Sequence, residues 1–293
     1  MVGNAAERAN LFDVRGLRIV YRRPGAKPLE AVKGVDFTLA EGETLGIVGE
    51  SGSGKSTIAK ALMLLLPVAD GEVRFCGQDI TRLDAAGRRA YRRDVQMVFQ
   101  DAAGSLNPRM TIRQTLEEII KHTLGGVRGR QESDNTTMGG VRGRQSPRPL
   151  QTPESLLSLV GLSEAVLEQY PRELSGGQCQ RVSFARALAA GPRVLVADEP
   201  VSALDVSVQA RILNLLRDLR RNLNLAVILI AHDLAVVRNV CDRVCVMHHG
   251  VFEDAGPAED VFARPTSDYT RRLLDAVPDV ARALRVRARA GQL

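Results

Sequence analysis

The chain has 293 residues, 44% of them hydrophobic, enough to bury one large core or two small ones. No stretch approaches the ~20 consecutive apolar residues of a membrane span, and Glu7 and Arg8 interrupt the N-terminus with no apolar run behind them, so the expected location is cytoplasmic. The formal charge of +6 comes from arginines, since lysine stands only at 27, 33, 55, 60 and 121; aromatics make up 4% and are not interleaved with the arginines. That pattern argues against base stacking and for a solvated or membrane-facing basic surface, and no nucleic acid is expected as a partner. Cysteines at 76, 179, 241 and 245 form neither a C-x-x-C pair nor a group with histidines, so they read as free thiols of a reducing compartment.

Taken in order, residues 14–21 and 32–39 read as strands separated by turn signals such as Pro24-Gly25. Residues 44–48 form a short apolar strand that runs into Gly49-Glu50-Ser51-Gly52-Ser53-Gly54-Lys55-Ser56, a complete G-x-x-x-x-G-K-[ST] loop. A helix is predicted over 57–66, stopped by Pro67. Strand, loop and helix in this order are the setting a phosphate-binding loop requires. Its glycines let the backbone aim N–H groups at phosphates, and the helix N-terminus adds positive potential. Lys55 is expected on the β- and γ-phosphates, and Ser56 on Mg2+.

Residues 71–75 and 95–99 read as further strands, the second ending at Gln100. From Thr111 the pattern turns helical, with Ile112, Leu116, Ile119 and Ile120 on one face. Residues 122–150 are basic, of low complexity and without periodicity; Gly-Gly-Val-Arg-Gly-Arg-Gln stands at 125–131 and again at 139–145, which reads as a tandem duplication in a mobile loop. Helices resume over 154–190, and Leu174-Ser175-Gly176-Gly177-Gln178 opens one of them. Two strand–helix units follow, 194–197 with 207–221 and 226–231 with 233–240. Continuous apolar strands between helices predict a parallel sheet covered on both faces. Ligands of such sheets bind beyond the carboxyl ends of the strands. Asp198 is therefore placed to hold Mg2+, Glu199 to polarise an attacking water, and His232 stands on the same rim.

This ordered set of motifs resembles the ATP-binding cassette (ABC) family. The resemblance implies an α/β fold: a P-loop NTPase (RecA-like) core with a parallel sheet, an antiparallel β subdomain and an inserted α-helical subdomain. It covers residues 12–278 apart from the repeat insertion, with 12–100 and 191–262 as catalytic core and 101–190 as the helical and signature subdomain containing that insertion; 263–293 form the C-terminal tail, whose end is basic. ATP and Mg2+ are the implied ligands. Gly49, Glu50, Ser51, Gly52, Ser53, Gly54, Lys55, Ser56 and Thr57 match the phosphate loop, and Tyr21 matches the aromatic that stacks on adenine. Gln100 matches the glutamine linking Mg2+ and water to the permease contact, so Ser56, Gln100 and Asp198 form the implied metal set. His232 matches the switch histidine beside the catalytic Glu199. Ser175, Gly176, Gly177 and Gln178 match the signature that closes on ATP held by a second subunit, and Asp205, in Ser202-Ala203-Leu204-Asp205, matches the loop connecting the two composite sites. Cys179 stands where close relatives usually have Arg; a free thiol there is expected to make the site alkylation-sensitive.

Ser105-Leu106-Asn107-Pro108-Arg109-Met110-Thr111, the residues around Glu199 and the tail 262–278 look like the oligopeptide/dipeptide/nickel importer ATPases, most like the F subunit of the pair. Ser267-Asp268 depart from the usual His-Pro, and no cysteine follows Cys245, so the iron–sulfur site of some relatives is absent. What this implies is a peripheral subunit on the cytoplasmic face of a bacterial inner membrane. Its implied partners are two transmembrane permeases, a second ATPase subunit and an extracellular solute-binding protein. Peptide is the leading cargo, with nickel or another small solute as the alternative. The repeated insertion is then either neutral or an arginine-rich contact to a permease or lipid headgroups. Two rivals stay open: a soluble ABC ATPase acting on nucleic acid or the ribosome, and an ATPase partner in phosphonate breakdown.

Overall fold

A computed structural model describes residues 10–22, 24–25, 27–125, 152–202 and 204–276. Strands β1 (Asn10–Tyr21), β2 (Leu29–Ala40), β4 (Asp70–Phe75) and β5 (Gln78–Asp79) alternate buried and exposed positions and pair antiparallel in the order β2-β1-β4-β5. One face of that sheet is wet, as the alternation demands.

The second sheet is different in kind. Strands β3 (Thr44–Val48), β7 (Val194–Asp198) and β8 (Ala226–Ala231) are buried at every position. With β6 (Val95–Val98), β9 (Arg243–His248) and β10 (Val251–Pro257) they form a six-stranded sheet, order β10-β9-β3-β8-β7-β6. All neighbours run parallel except the β9–β10 hairpin. Successive side chains point to opposite faces, and this divides the core in two. Leu45, Ile47, Val194, Val196, Ile228 and Ile230 pack toward the antiparallel sheet and helix α1 (Lys55–Leu62). Leu195, Ala197, Val227, Leu229, Val244 and Val246 pack on the other side with residues of α3 (Ile112–Gly125), α4 (Pro153–Leu159), α5 (Gly176–Leu188), α6 (Val206–Leu223) and α7 (Leu234–Arg238). Each such Val, Leu or Ile side chain contributes about 1.5–3 kcal/mol on burial.

Several elements differ from the sequence reading. Helix α1 stops at Leu62 rather than Leu66, because Leu64 turns left-handed (φ 57°). Helix α2 (Ala85–Asp94) was not expected. Its Arg-rich sequence buries only Tyr91 and Asp94, and Asp84 caps it by accepting the Gly87 N–H at 2.7 Å. Tyr91 completes an aromatic cluster with Phe12 and Phe75 (5.1 Å between the Phe12 and Phe75 rings, 5.3 Å between Phe75 and Tyr91). Helix α3 continues through His122–Gly125, into the stretch read as a loop; residues 126–151, with both repeats nearly entire, lie outside the described residues, as do the terminal arginines beyond 276. Helices α8 (Ala258–Ala263) and α9 (Asp268–Ala276) follow β10.

Candidate functional site

Strands β3, β8, β7 and β6 are consecutive neighbours and parallel, so their carboxyl ends share one rim. Glycine backbone shapes the first of these ends. Gly49, Gly52 and Gly54 all have positive φ (153°, 81°, 113°). A Cβ on Gly49 would stand 2.0 Å from the Met247 carbonyl oxygen, and one on Gly54 would stand 2.5 Å from that of Ala31, so the loop is wedged between β2 and β9. Among the described residues no side chain caps the N-terminus of α1, whose first-turn N–H groups are thereby available to an anion.

Lys55 is 4% exposed, and its Nζ donates to the carbonyls of Gly49 (2.8 Å) and Glu50 (2.7 Å). Burial lowers its pKa, opposed by the charges of Glu199 and Asp198. Ser56 Oγ donates to Asp198 Oδ1 at 2.9 Å. Asp198 is buried, and burial raises its pKa against the hydrogen bond from Ser56. Both groups, Ser56 beyond β3 and Asp198 at the end of β7, are hard oxygen donors on this rim, the chemistry Mg2+ selects. Tyr21 ends β1 beside the loop, its hydroxyl 3.3 Å from Thr57 Oγ1.

Glu199 follows β7 with φ 46°, an uncommon left-handed backbone for glutamate. Its own N–H is tied to the Ile230 carbonyl at 3.0 Å, and the Ser202 hydroxyl donates to the Glu199 carbonyl at 3.1 Å. The carboxylate receives Gln100 Nε2 at 3.2 Å, and His232 Nδ1 lies 3.7 Å from the same oxygen. Gln100 Nε2 also reaches Ser202 Oγ at 3.3 Å. Glu199, Gln100 and His232, from three adjacent strand ends, thus converge on one point. No hydrogen bond joins Gln100 to Ser56 or Asp198 among the described residues. Ser202, which the sequence reading placed only in a connecting loop, is part of this network.

Ser175 to Gln178 lie elsewhere. The Ser175 hydroxyl accepts the Gln178 N–H at 3.3 Å, and Gln178 Oε1 accepts the Ser175 N–H at 2.9 Å, a capping box that starts α5. Gly176 and Gly177 lie against Leu204 and Val208, at the start of α6. Among the described residues no hydrogen bond links Ser175–Gln178 to the loop 49–56 of the same chain. Asp205 is exposed and precedes α6, its carbonyl accepting the N–H groups of Val208 and Gln209. Cys179 corrects an expectation: it is 2% exposed, its thiol faces the Pro171 carbonyl, and burial raises its pKa, so it is not set up for alkylation.

A family model described as ABC transporter matches residues 32–202. The oligopeptide transport ATP-binding protein OppF of Lactococcus lactis subsp. lactis is 44% identical over 250 residues, 85% of this chain and 73% of that protein. OppF of Salmonella typhimurium is 42% identical over 286 residues, 96% of this chain and 80% of that protein. Among solved structures, the dimeric post-hydrolysis state of the ATP-binding cassette MJ0796 bound to ADP and Pi superposes with a TM-score of 0.67 at 29% identity, over 84% of this chain and 98% of that one. The cbiO1 protein from Clostridium perfringens superposes with a TM-score of 0.70 at 25% identity, over 94% of this chain and 99% of that one.

Proposed function

Because the chain belongs to the ABC transporter family, as an ATP-binding subunit of the oligopeptide-importer type, we propose that it hydrolyses ATP to energise peptide uptake by a bacterial import complex. The observation that carries this reading is the single rim where Lys55, the Ser56–Asp198 pair and the Glu199–Gln100–His232 group meet. The backbone of Gly49 to Ser56 and the first turn of α1, Thr57 included, cradle the phosphates, and Lys55 holds their charge. Tyr21 offers its ring to the adenine. Glu199 accepts a proton from the attacking water while His232 and Gln100 fix its position. Catalysis is then mainly orientation and electrostatic stabilisation of an in-line displacement. Ser56 and Asp198, with Gln100 in reach of the same rim, would hold Mg2+, which supplies charge neutralisation at the phosphates.

The self-capped, outward Ser175-Gly176-Gly177-Gln178 serves a nucleotide on a second ATPase subunit, with Asp205 at the seam between the two. Two permeases and an extracellular binding protein complete the assembly, and the chain sits peripherally on the cytoplasmic face of the membrane. In this reading residues 12–100 and 191–262 are the catalytic core, 101–190 the signature subdomain and 263–293 the tail. Glu199→Gln keeps the side chain's shape and removes its basicity. In the assembled complex it should leave ATP binding intact and cut turnover by about 10²–10⁴-fold; near-normal hydrolysis would refute the assignment.

A further inference from the structure

The phosphate loop has a support that its motif does not contain. Tyr269, in the first turn of α9, is 6% exposed, and its hydroxyl accepts the Glu50 N–H at 3.2 Å across 219 residues of sequence. That N–H belongs to the peptide between Gly49 and Glu50. The carbonyl of the same peptide accepts Lys55 Nζ at 2.8 Å. One rigid planar unit thus joins Tyr269 to Lys55, and it hangs on Gly49, which has no side chain to fix its own backbone.

Tyr269 is itself firmly placed. Its ring lies flat on His248 (centroids 3.9 Å apart, planes at 17°), and two residues beyond His248 the Gly250 N–H donates to the Ser53 carbonyl at 2.9 Å. The loop is therefore gripped at Glu50 by the tyrosine and at Ser53 by the hairpin, and the His248 ring links the two grips. Asp254, 7% exposed, locates the segment by accepting the N–H groups of Thr266 (3.2 Å) and Ser267 (3.1 Å) and the Thr266 hydroxyl. The Ser267 hydroxyl then accepts the Tyr269 N–H at 3.1 Å.

We propose that Tyr269 is a positioning residue for ATP: by fixing the Gly49–Glu50 peptide it sets one of the two carbonyls that orient Lys55, which makes the segment 266–276 a working part of the nucleotide site. The proposal rests on the ATP reading above. Tyr269→Phe removes the hydroxyl and keeps the ring stacked on His248. Titrating the full chain with a fluorescent ATP analogue should show Kd raised about 3–10-fold, the worth of one such hydrogen bond. In the assembled complex kcat at saturating ATP should stay within about twofold, and the nucleotide-free variant should melt within about 5 °C of the wild type, the share of one hydrogen bond. An unchanged Kd, or a kcat reduced tenfold or more, overturns the proposal. Lys55→Ala separates the two ideas. Should the wild type bind no nucleotide, or Lys55→Ala bind it equally well, the ATP reading fails. Should Lys55→Ala lose binding while Tyr269→Phe does not, only the role of Tyr269 fails.

Discussion

At Gly54 the loop tolerates no side chain. Its φ is 113°, and a Cβ would stand 2.5 Å from the Ala31 carbonyl oxygen and 2.7 Å from Met247 Cε. The carbonyl is backbone of β2 and cannot swing aside. Gly54→Ala should therefore cost about 1–3 kcal/mol of stability and weaken ATP binding about tenfold or more, read from thermal melting and a nucleotide titration. Motif glycines, Lys55, Ser56, Asp198 and Glu199 were legible in the sequence because phosphate chemistry restricts both residue type and spacing. The bond from Gln100 to Ser202 and that from Glu50 to Tyr269 were not, since each depends on distant backbone segments meeting at a specific angle.

Among the elements, the buried strands were the clearest, as continuous apolar runs between turn signals leave few alternatives. The elements that escaped have other sources of stability. Helix α2 carries four arginines, has no apolar stripe and is held by the Asp84 cap and one tyrosine. β9 buries Val244 to Met247 in the core, while the segment from β10 to α9 is tied by polar contacts with Asp254 at the centre. Burial works against the Asp254 carboxylate, but the hydrogen bonds from Thr266 and Ser267 more than offset this and hold its pKa below the usual value. A depressed carboxylate pKa gives stability that is fully present above the unfolded-state value of about 4 and disappears as pH falls through the folded-state value. Asp254→Asn should thus be about 1–3 kcal/mol less stable than the wild type at pH 7, with the gap closing below about pH 4. Urea midpoints measured down that pH series check it; a gap that stays constant with pH would remove the carboxylate's charge from the explanation.

Over the whole molecule, one sheet with a core on each face lets residues from β3, β6, β7 and β8 act together, and the continuous apolar strands set between helices foretold that architecture. It did not foretell that a hairpin and a C-terminal helix would close around the first loop. The backbone at Glu199 has a consequence for the molecule's history as well as its chemistry. A glutamate held at φ 46° costs stability, and its charge also raises the pKa of buried Asp198, after burial itself and against the Ser56 hydrogen bond. Asparagine accepts this backbone readily and carries no charge. Glu199→Asn should raise Tm by about 2–4 °C, equivalent to about 1 kcal/mol, while turnover collapses. A laboratory search for thermally hardier variants, screened on folding alone, would find this substitution early and discard the enzyme in the process.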